Sequence, residues 1–210
     1  MPASDALPFF GDVCAALSHE LKNVLAVINE QGGLLEDLAC LAGRGMPLDP
    51  ERLAAVAGCL QKQVCRGDAI LTSLSAFAHT ADAAPRPLPL AQAAGLAVSL
   101  LQRRAAMRQV GLSLAPSPAE PVVVPAAPFP LVQLLSRCLE RAMDAPDAGK
   151  AVSVAVAAGP DGPEARVSGM AGEAALAGDD PLLALAAALG ARLRPVPGGL
   201  ALAWPGGAPR

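Results

Sequence analysis

The chain has 210 residues, 53% of them hydrophobic and only 17% charged, with a formal net charge of −3. That balance allows one or two buried cores and leaves no basic footprint for nucleic acid, for which one Trp, four Phe and no Tyr also offer few stacking platforms. Nucleic acid is therefore not an expected partner. Ala, Pro and Gly are abundant along the whole chain, so isolated Ala-rich or Pro-rich stretches are discounted as signals. Five cysteines (Cys14, Cys40, Cys59, Cys65 and Cys138) lack any CxxC pairing and predict free, mostly buried thiols of a reducing compartment. The N-terminus shows no basic segment followed by an apolar one, and no apolar run is long enough to cross a bilayer. A cytoplasmic protein with no membrane partner is expected.

In chain order, a first helix is expected to begin near Ser4 to Pro8 and run to about Ala42. Its apolar residues Phe10, Cys14, Leu17, Leu21, Val24, Ile28, Leu35 and Leu38 recur in steps of three and four, the seam of a helix in a bundle, with Gln31 as the one polar break. At roughly 100° per residue, His19 falls opposite the Leu17–Leu21 seam and Asn23 follows it on the same outer face. Asp12, Ala16, Ala26 and Glu30 share that stripe, where the small alanines would let another protein approach the histidine closely. Lys22 and Val27 complete the candidate partner-binding surface. Gly32-Gly33 is a weak point, each interior Gly costing about 1 kcal/mol relative to Ala, and either a hinge or a packing adaptation would account for it.

After a loop from Gly43, Asp49 as N-cap and Pro50 as first helical residue start a second helix. Leu53, Val56, Leu60, Val64, Leu71 and Leu74 mark its apolar face, with Gly67 at a seam position. Two helices with one seam each make little core alone, so a homodimer that completes a four-helix bundle is expected. His79, at the end of this helix, is read as favouring the helix dipole or as solvated. Residues 80–89, Thr-Ala-Asp-Ala-Ala-Pro-Arg-Pro-Leu-Pro, read as a linker. The expected division is a helical hairpin at 1–80, a linker at 81–89 and a second domain at 90–210. The second domain reads as a helix at about 90–107, strands at 110–115 and 121–124, a helix at 128–145, strands at 151–158 and 163–168, a helix at 180–191, and a final hairpin from Leu193 to Trp204 turning at Pro197-Gly-Gly. The Ala/Leu-rich segment 182–190 is expected to lie on the sheet.

The stretch Ser-His-Glu-Leu-Lys-Asn-Val-Leu at 18–25, ahead of a second long amphipathic helix, resembles the H-box of sensor histidine kinases. There a histidine on the first helix of a dimeric bundle carries a phosphoryl group, followed by an acid and, four residues on, by Asn or Thr. Here those residues are His19, Glu20 and Asn23. Many members have Pro after the Asn; this chain has Val24, so the kink a proline makes is not expected. The α+β order of 90–210 likewise resembles the ATP-binding domain that follows the bundle in histidine kinases. Only 18 residues precede His19, which leaves no room for an upstream sensory domain, so a signal would arrive through a partner.

The resemblance implies three nucleotide-binding elements, and each departs from the family pattern. In the helix Leu134-Leu-Ser-Arg-Cys-Leu-Glu-Arg-Ala-Met-Asp-Ala, Arg137 and Arg141 stand where a metal- and phosphate-binding Asn is expected. Gly169 replaces the Asp that reads adenine. Gly178-Asp-Asp-Pro stands in place of a Gly-rich phosphate turn, where two acids repel phosphate and proline removes a donor. Arg137 and Arg141 could attract an anion or simply be solvated. What the resemblance then implies is a histidine phosphotransferase with a degenerate ATPase-like domain: an α+β chain carrying a phosphoryl group on His19 between response-regulator receiver domains, downstream of a histidine kinase. No bound cofactor or metal is expected in this chain, Mg²⁺ coming from the receiver's acidic pocket. In that scheme Glu20 accepts the other ring N–H of His19, Asn23 orients a water or is a plain face residue, and Lys22 softens the phosphoryl charge or is plain surface. The alternatives are a non-catalytic pseudokinase scaffold and a divergent active kinase.

Overall fold

The computed structural model describes residues 5–173 and 176–206, and the chain divides into two compact units. One is Gly11–Ser75; the other joins the residues up to Phe10 with everything from Ala76 onward. Two long helices, α1 (Ala6–Gly43) and α2 (Pro50–Ala81), supply the first unit. The start of α2 has the anticipated chemistry: the Asp49 carboxylate accepts the N–H of Glu51 at 2.9 Å, and Pro50 opens the helix, where its missing N–H costs nothing. The helix α1 runs unbroken through Gly32-Gly33, where a Cβ on either residue would meet nothing within 4 Å, so close packing is not the reason for the glycines.

Val13, Leu17, Val24 and Leu38 are the buried apolar residues of α1 in this unit, and Val56 and Ile70 those of α2. The seam of α2 differs from the one expected. Val64 and Leu71 are 60% and 50% exposed, and the inner row instead continues through half-buried Gln63, buried Gly67 and buried Ile70. Helix geometry explains this: once Val56 and Leu60 face inward, the steps of three and four lead to 63, 67 and 70 whatever their polarity, and their apolar neighbours lie about 100° away. Gly67 is a member of the row that lies against α1 side chains. A Cβ there would sit 3.4 Å from Val24 Cγ1 and 3.8 Å from Leu21 Cδ1, while the other glycines of α1 and α2 have nothing within 4 Å.

In the second unit, β1 (Arg86–Pro89) pairs antiparallel with β3 (Val123–Ala126). A four-stranded sheet contains β2 (Gly111–Leu114), β4 (Ala151–Gly159), β5 (Gly162–Glu173) and β6 (Arg192–Ala203) in the order β2-β4-β5-β6. Only β2 and β4 are parallel, a pairing that needs a long crossover, and that crossover carries β3 and a helix. The helices α3 (Leu90–Met107) and α4 (Pro128–Asp144) lie against each other and against the sheet, and α5 (Pro181–Ala188) lies on α4 and β6. Val152, Val154 and Val156, every second residue of β4, are buried, and so are Ala93, Ala94 and Ala97 of α3. The unit is an α+β sandwich.

Two sequence expectations are corrected. Residues 86–89, read as part of a linker, are strand β1. Prolines at 87 and 89 do not prevent this because β1 has a single strand neighbour, so the N–H groups they lack would face no second partner. The final segment is one strand rather than a hairpin: β6 pairs with β5 from Glu164↔Ala203 to Ser168↔Gly199 before the register shifts. Gly199 serves close approach instead of a turn, since a Cβ on it would lie 1.9 Å from the carbonyl oxygen of Val167, while Gly198 takes a positive φ of 71°.

All four phenylalanines of the chain meet in the second unit. Phe10 stacks on Phe77 at 5.4 Å, Phe9 meets Phe77 edge-on at 5.8 Å, and Phe129 closes the cluster 5.7 Å from Phe77. The Arg137 guanidinium lies 5.2 Å over the Phe9 ring. Phe77 is fully buried at the centre of this group. Replacing Phe77 with Ala is expected to destabilise the fold by about 3–5 kcal/mol, read as a lowered urea midpoint with the slope unchanged.

Candidate functional site

The face of α1 carrying His19 is the chemically distinctive surface of the hairpin. His19, Asn23, Asp12, Lys22, Ala26 and Glu30 are exposed, and Ala16 and Val27 are half-buried at its margin. The opposite face holds Leu17 and Val24 in the seam, so a 3.6-residue period turns the imidazole outward and the apolar row inward. The side-chain amide nitrogen of Asn23 lies 3.4 Å from Nδ1 of His19, one helical turn away. Amide orientation follows the tautomer: turned about, the amide oxygen accepts Nδ1–H and leaves the lone pair on Nε2.

Glu20 is engaged elsewhere. Its carboxylate, with the side chain 13% exposed, accepts from the Arg66 guanidinium on α2 at 2.8 Å. Arg66 is a site residue that sequence reading missed, and no local signal could have revealed it, because the pair joins residues 46 positions apart. Gly67, flagged by its seam position, sits next to it where the helices come close. His79, exposed at the end of α2, belongs to the other unit and lines a cleft of about 240 Å³ with Arg86 and Gln92.

In the α+β unit, an open cleft of about 650 Å³ lies between α4 and α5, lined by Arg137, Glu140, Arg141, Asp144, Asp180 and Leu182 among others. Its charges are mutually compensated. Arg141 bridges from α4 to Asp180 at 2.5 Å, Arg137 binds Glu140 at 3.0 Å, Arg104 also binds Glu140, and Arg108 binds Asp144 at 2.8 Å. The start of α5 has little left for a phosphate. Pro181 has no N–H, Leu182 donates to the Asp180 side chain at 3.0 Å, and Leu183 donates to the Asp180 carbonyl at 2.9 Å.

Gly169 has φ 103°, and a Cβ on it would fall 2.0 Å from the carbonyl oxygen of Ala151. No side chain fits that backbone. The strand here is stitched to the end of α4: Asp147 donates its N–H to the Gly169 carbonyl and Ala171 donates to Ala145, each at 2.9 Å. Among the described residues no cluster of His, Cys, Asp or Glu could hold a metal ion, and no helix is long and apolar enough to cross a membrane.

No protein-family model and no curated protein matches the chain. Among solved structures it is similar to a bacterial phosphotransferase, at 14% identity over 96% of both chains with a TM-score of 0.49. It is also similar to the histidine kinase AdeS of Acinetobacter baumannii, at 12% identity over 90% of this chain and 98% of that one with a TM-score of 0.48. The ATP-binding domain of PrrB from Mycobacterium tuberculosis aligns with 60% of this chain and 100% of its own length, at 18% identity and a TM-score of 0.47.

The cysteines differ from the expectation of mostly buried thiols. Cys40 and Cys65 are exposed, Cys14 and Cys59 are half-buried, and only Cys138 is buried. The first four lie on long two-sided helices, where an apolar residue off the seam has nothing to cover it. Burial pushes the Cys138 thiol up to about 12, with the Arg141 charge pulling down and Asp180 pushing up by smaller amounts; burial also raises Cys14. The thiolate is the reactive form, so maleimide at neutral pH is expected to modify Cys40 and Cys65 quickly and Cys138 only after unfolding, as read by mass spectrometry of peptides.

Proposed function

We propose that this protein is a histidine phosphotransferase that carries a phosphoryl group on His19 between response-regulator receiver domains. The observation that carries the reading is an exposed imidazole in a His-Glu-Leu-Lys-Asn stretch of a long helix, with Asn23 one turn away at Nδ1. Neutral His19 attacks through the Nε2 lone pair. The N–P bond forms as the P–O bond to the donor's aspartyl group breaks, and that electron pair leaves as the donor's carboxylate. The product is a phosphoimidazolium whose Nδ1–H faces Asn23. Transfer to a second receiver reverses these steps, its aspartate attacking phosphorus and the imidazole leaving with the N–P electron pair. A receiver would bring its own Mg²⁺, which would balance charge on the phosphoryl oxygens.

ATP is not expected as the phosphoryl source. The occluded side chain at Gly169, the capped start of α5 and the arginines paired across the α4–α5 cleft all support that reading. The hairpin is expected to work as a dimer. Leu25, Val64 and Leu71 are 56%, 60% and 50% exposed, and a second hairpin would bury them in a four-helix bundle.

Two measurements test the proposal. The purified protein is mixed with radiolabelled ATP and Mg²⁺, alone and then with an active histidine kinase and a receiver domain, beside His19→Ala. Label is expected on the wild type only when kinase and receiver are both present, and never on His19→Ala. Label from ATP alone would identify an active kinase, and no label despite confirmed binding of genuine partners would identify a scaffold. Light scattering is expected to give twice the chain's 21.0 kDa, and the Val64→Asp, Leu71→Asp double variant the mass of a single chain.

A further inference from the structure

The hairpin holds one charged contact that the phosphotransfer scheme has not used. Glu20 follows His19 directly and its carboxylate is mostly covered, yet its partner comes from the other helix: Arg66, 2.8 Å away and 52% exposed. The contact is built into the fold at that level. Gly67, next to Arg66, is the glycine of α1 and α2 whose Cβ would touch a neighbouring side chain, and the side chains it would touch are Val24 and Leu21, the latter next to Glu20. The helices are in side-chain contact beside Gly67, and at that level the guanidinium meets the carboxylate.

A bare carboxylate one residue from the phosphoacceptor has two opposed effects. It stabilises the phosphoimidazolium and can take its proton, but it also repels the anionic phosphoryl group as it arrives. A cation bound to the far side of the carboxylate keeps the first effect and cancels much of the second, and it restrains a side chain with three rotatable bonds. We propose that Arg66 is a positioning residue for phosphotransfer, holding Glu20 in place and compensating its charge beside His19. The inference rests on the function proposed above and deepens it. Arg66 acts through Glu20, with Lys62 one turn earlier on α2 and Lys22 on α1 as the nearest other cations in sequence.

The test measures transfer from a phosphorylated receiver to the full chain for wild type, Arg66→Ala, Arg66→Lys, Glu20→Gln and the Glu20→Gln, Arg66→Ala double variant. Arg66→Ala is expected to transfer about tenfold more slowly. Arg66→Lys should recover to within about threefold of wild type, because it restores the charge without the planar guanidinium. In the Glu20→Gln background the Arg66→Ala change should add nothing, since no carboxylate remains to compensate. Thermal melting of Arg66→Ala should match wild type within a few degrees, because half-exposed ion pairs contribute little to stability. Wild-type transfer by Arg66→Ala, a Lys variant no better than Ala, or losses that multiply in the double variant would each overturn the role of Arg66. Absence of any His19-dependent transfer in the wild type overturns the proposed function with it, whereas His19-dependent transfer that ignores Arg66 overturns this inference alone.

Discussion

Buried carboxylates govern the α+β unit. Glu140 and Asp180 are both nearly removed from solvent, and a charge taken out of water is tolerated only when paired and hydrogen-bonded. The fold meets that demand with arginines. Glu140 holds Arg104 and Arg137, while Asp180 holds Arg141 and caps its own helix. These contacts tie α3 to α4 and α4 to α5, so they are part of what orders the three helices over the sheet. They also commit the guanidinium groups that would otherwise face the cleft as free cations. The same chemistry that allows the helices to assemble leaves the cleft's polar lining satisfied.

The hairpin meets the opposite requirement. Under the proposed phosphotransfer His19 must stand in solvent, while the helix that carries it needs a buried row to be stable. A 3.6-residue period provides both, with Leu17 and Val24 inward and His19 and Asn23 outward. The two helices are in contact beside Gly67, and Arg66 next to it reaches Glu20 on α1.

Where sequence reading went astray, it had taken side-chain character as a guide to position. Val64 and Leu71 are apolar and were assigned to the seam, but the helical period runs through Gln63 and Ile70. Pro87 and Pro89 suggested a linker, yet an edge strand can do without the N–H groups they lack. Pro197-Gly-Gly suggested a turn, although Gly199 allows two strands to touch. The extents of α3 and α4 were legible because periodicity and flanking prolines agree within each segment. The outward placement of His19 was legible for the same reason.

The sequence by itself determined the five helices, the α+β class, and the exposed face on which His19 and Asn23 lie. These follow from local rules: a helix repeats every few residues, and a residue's neighbours within one turn determine which way it faces. The tertiary structure alone decided that Glu20 belongs to Arg66, 46 residues on, that Arg141 belongs to Asp180, 39 residues on, and that Gly169 has no room for a side chain. Charge partners and close approaches depend on where distant segments meet, and no periodicity encodes that meeting.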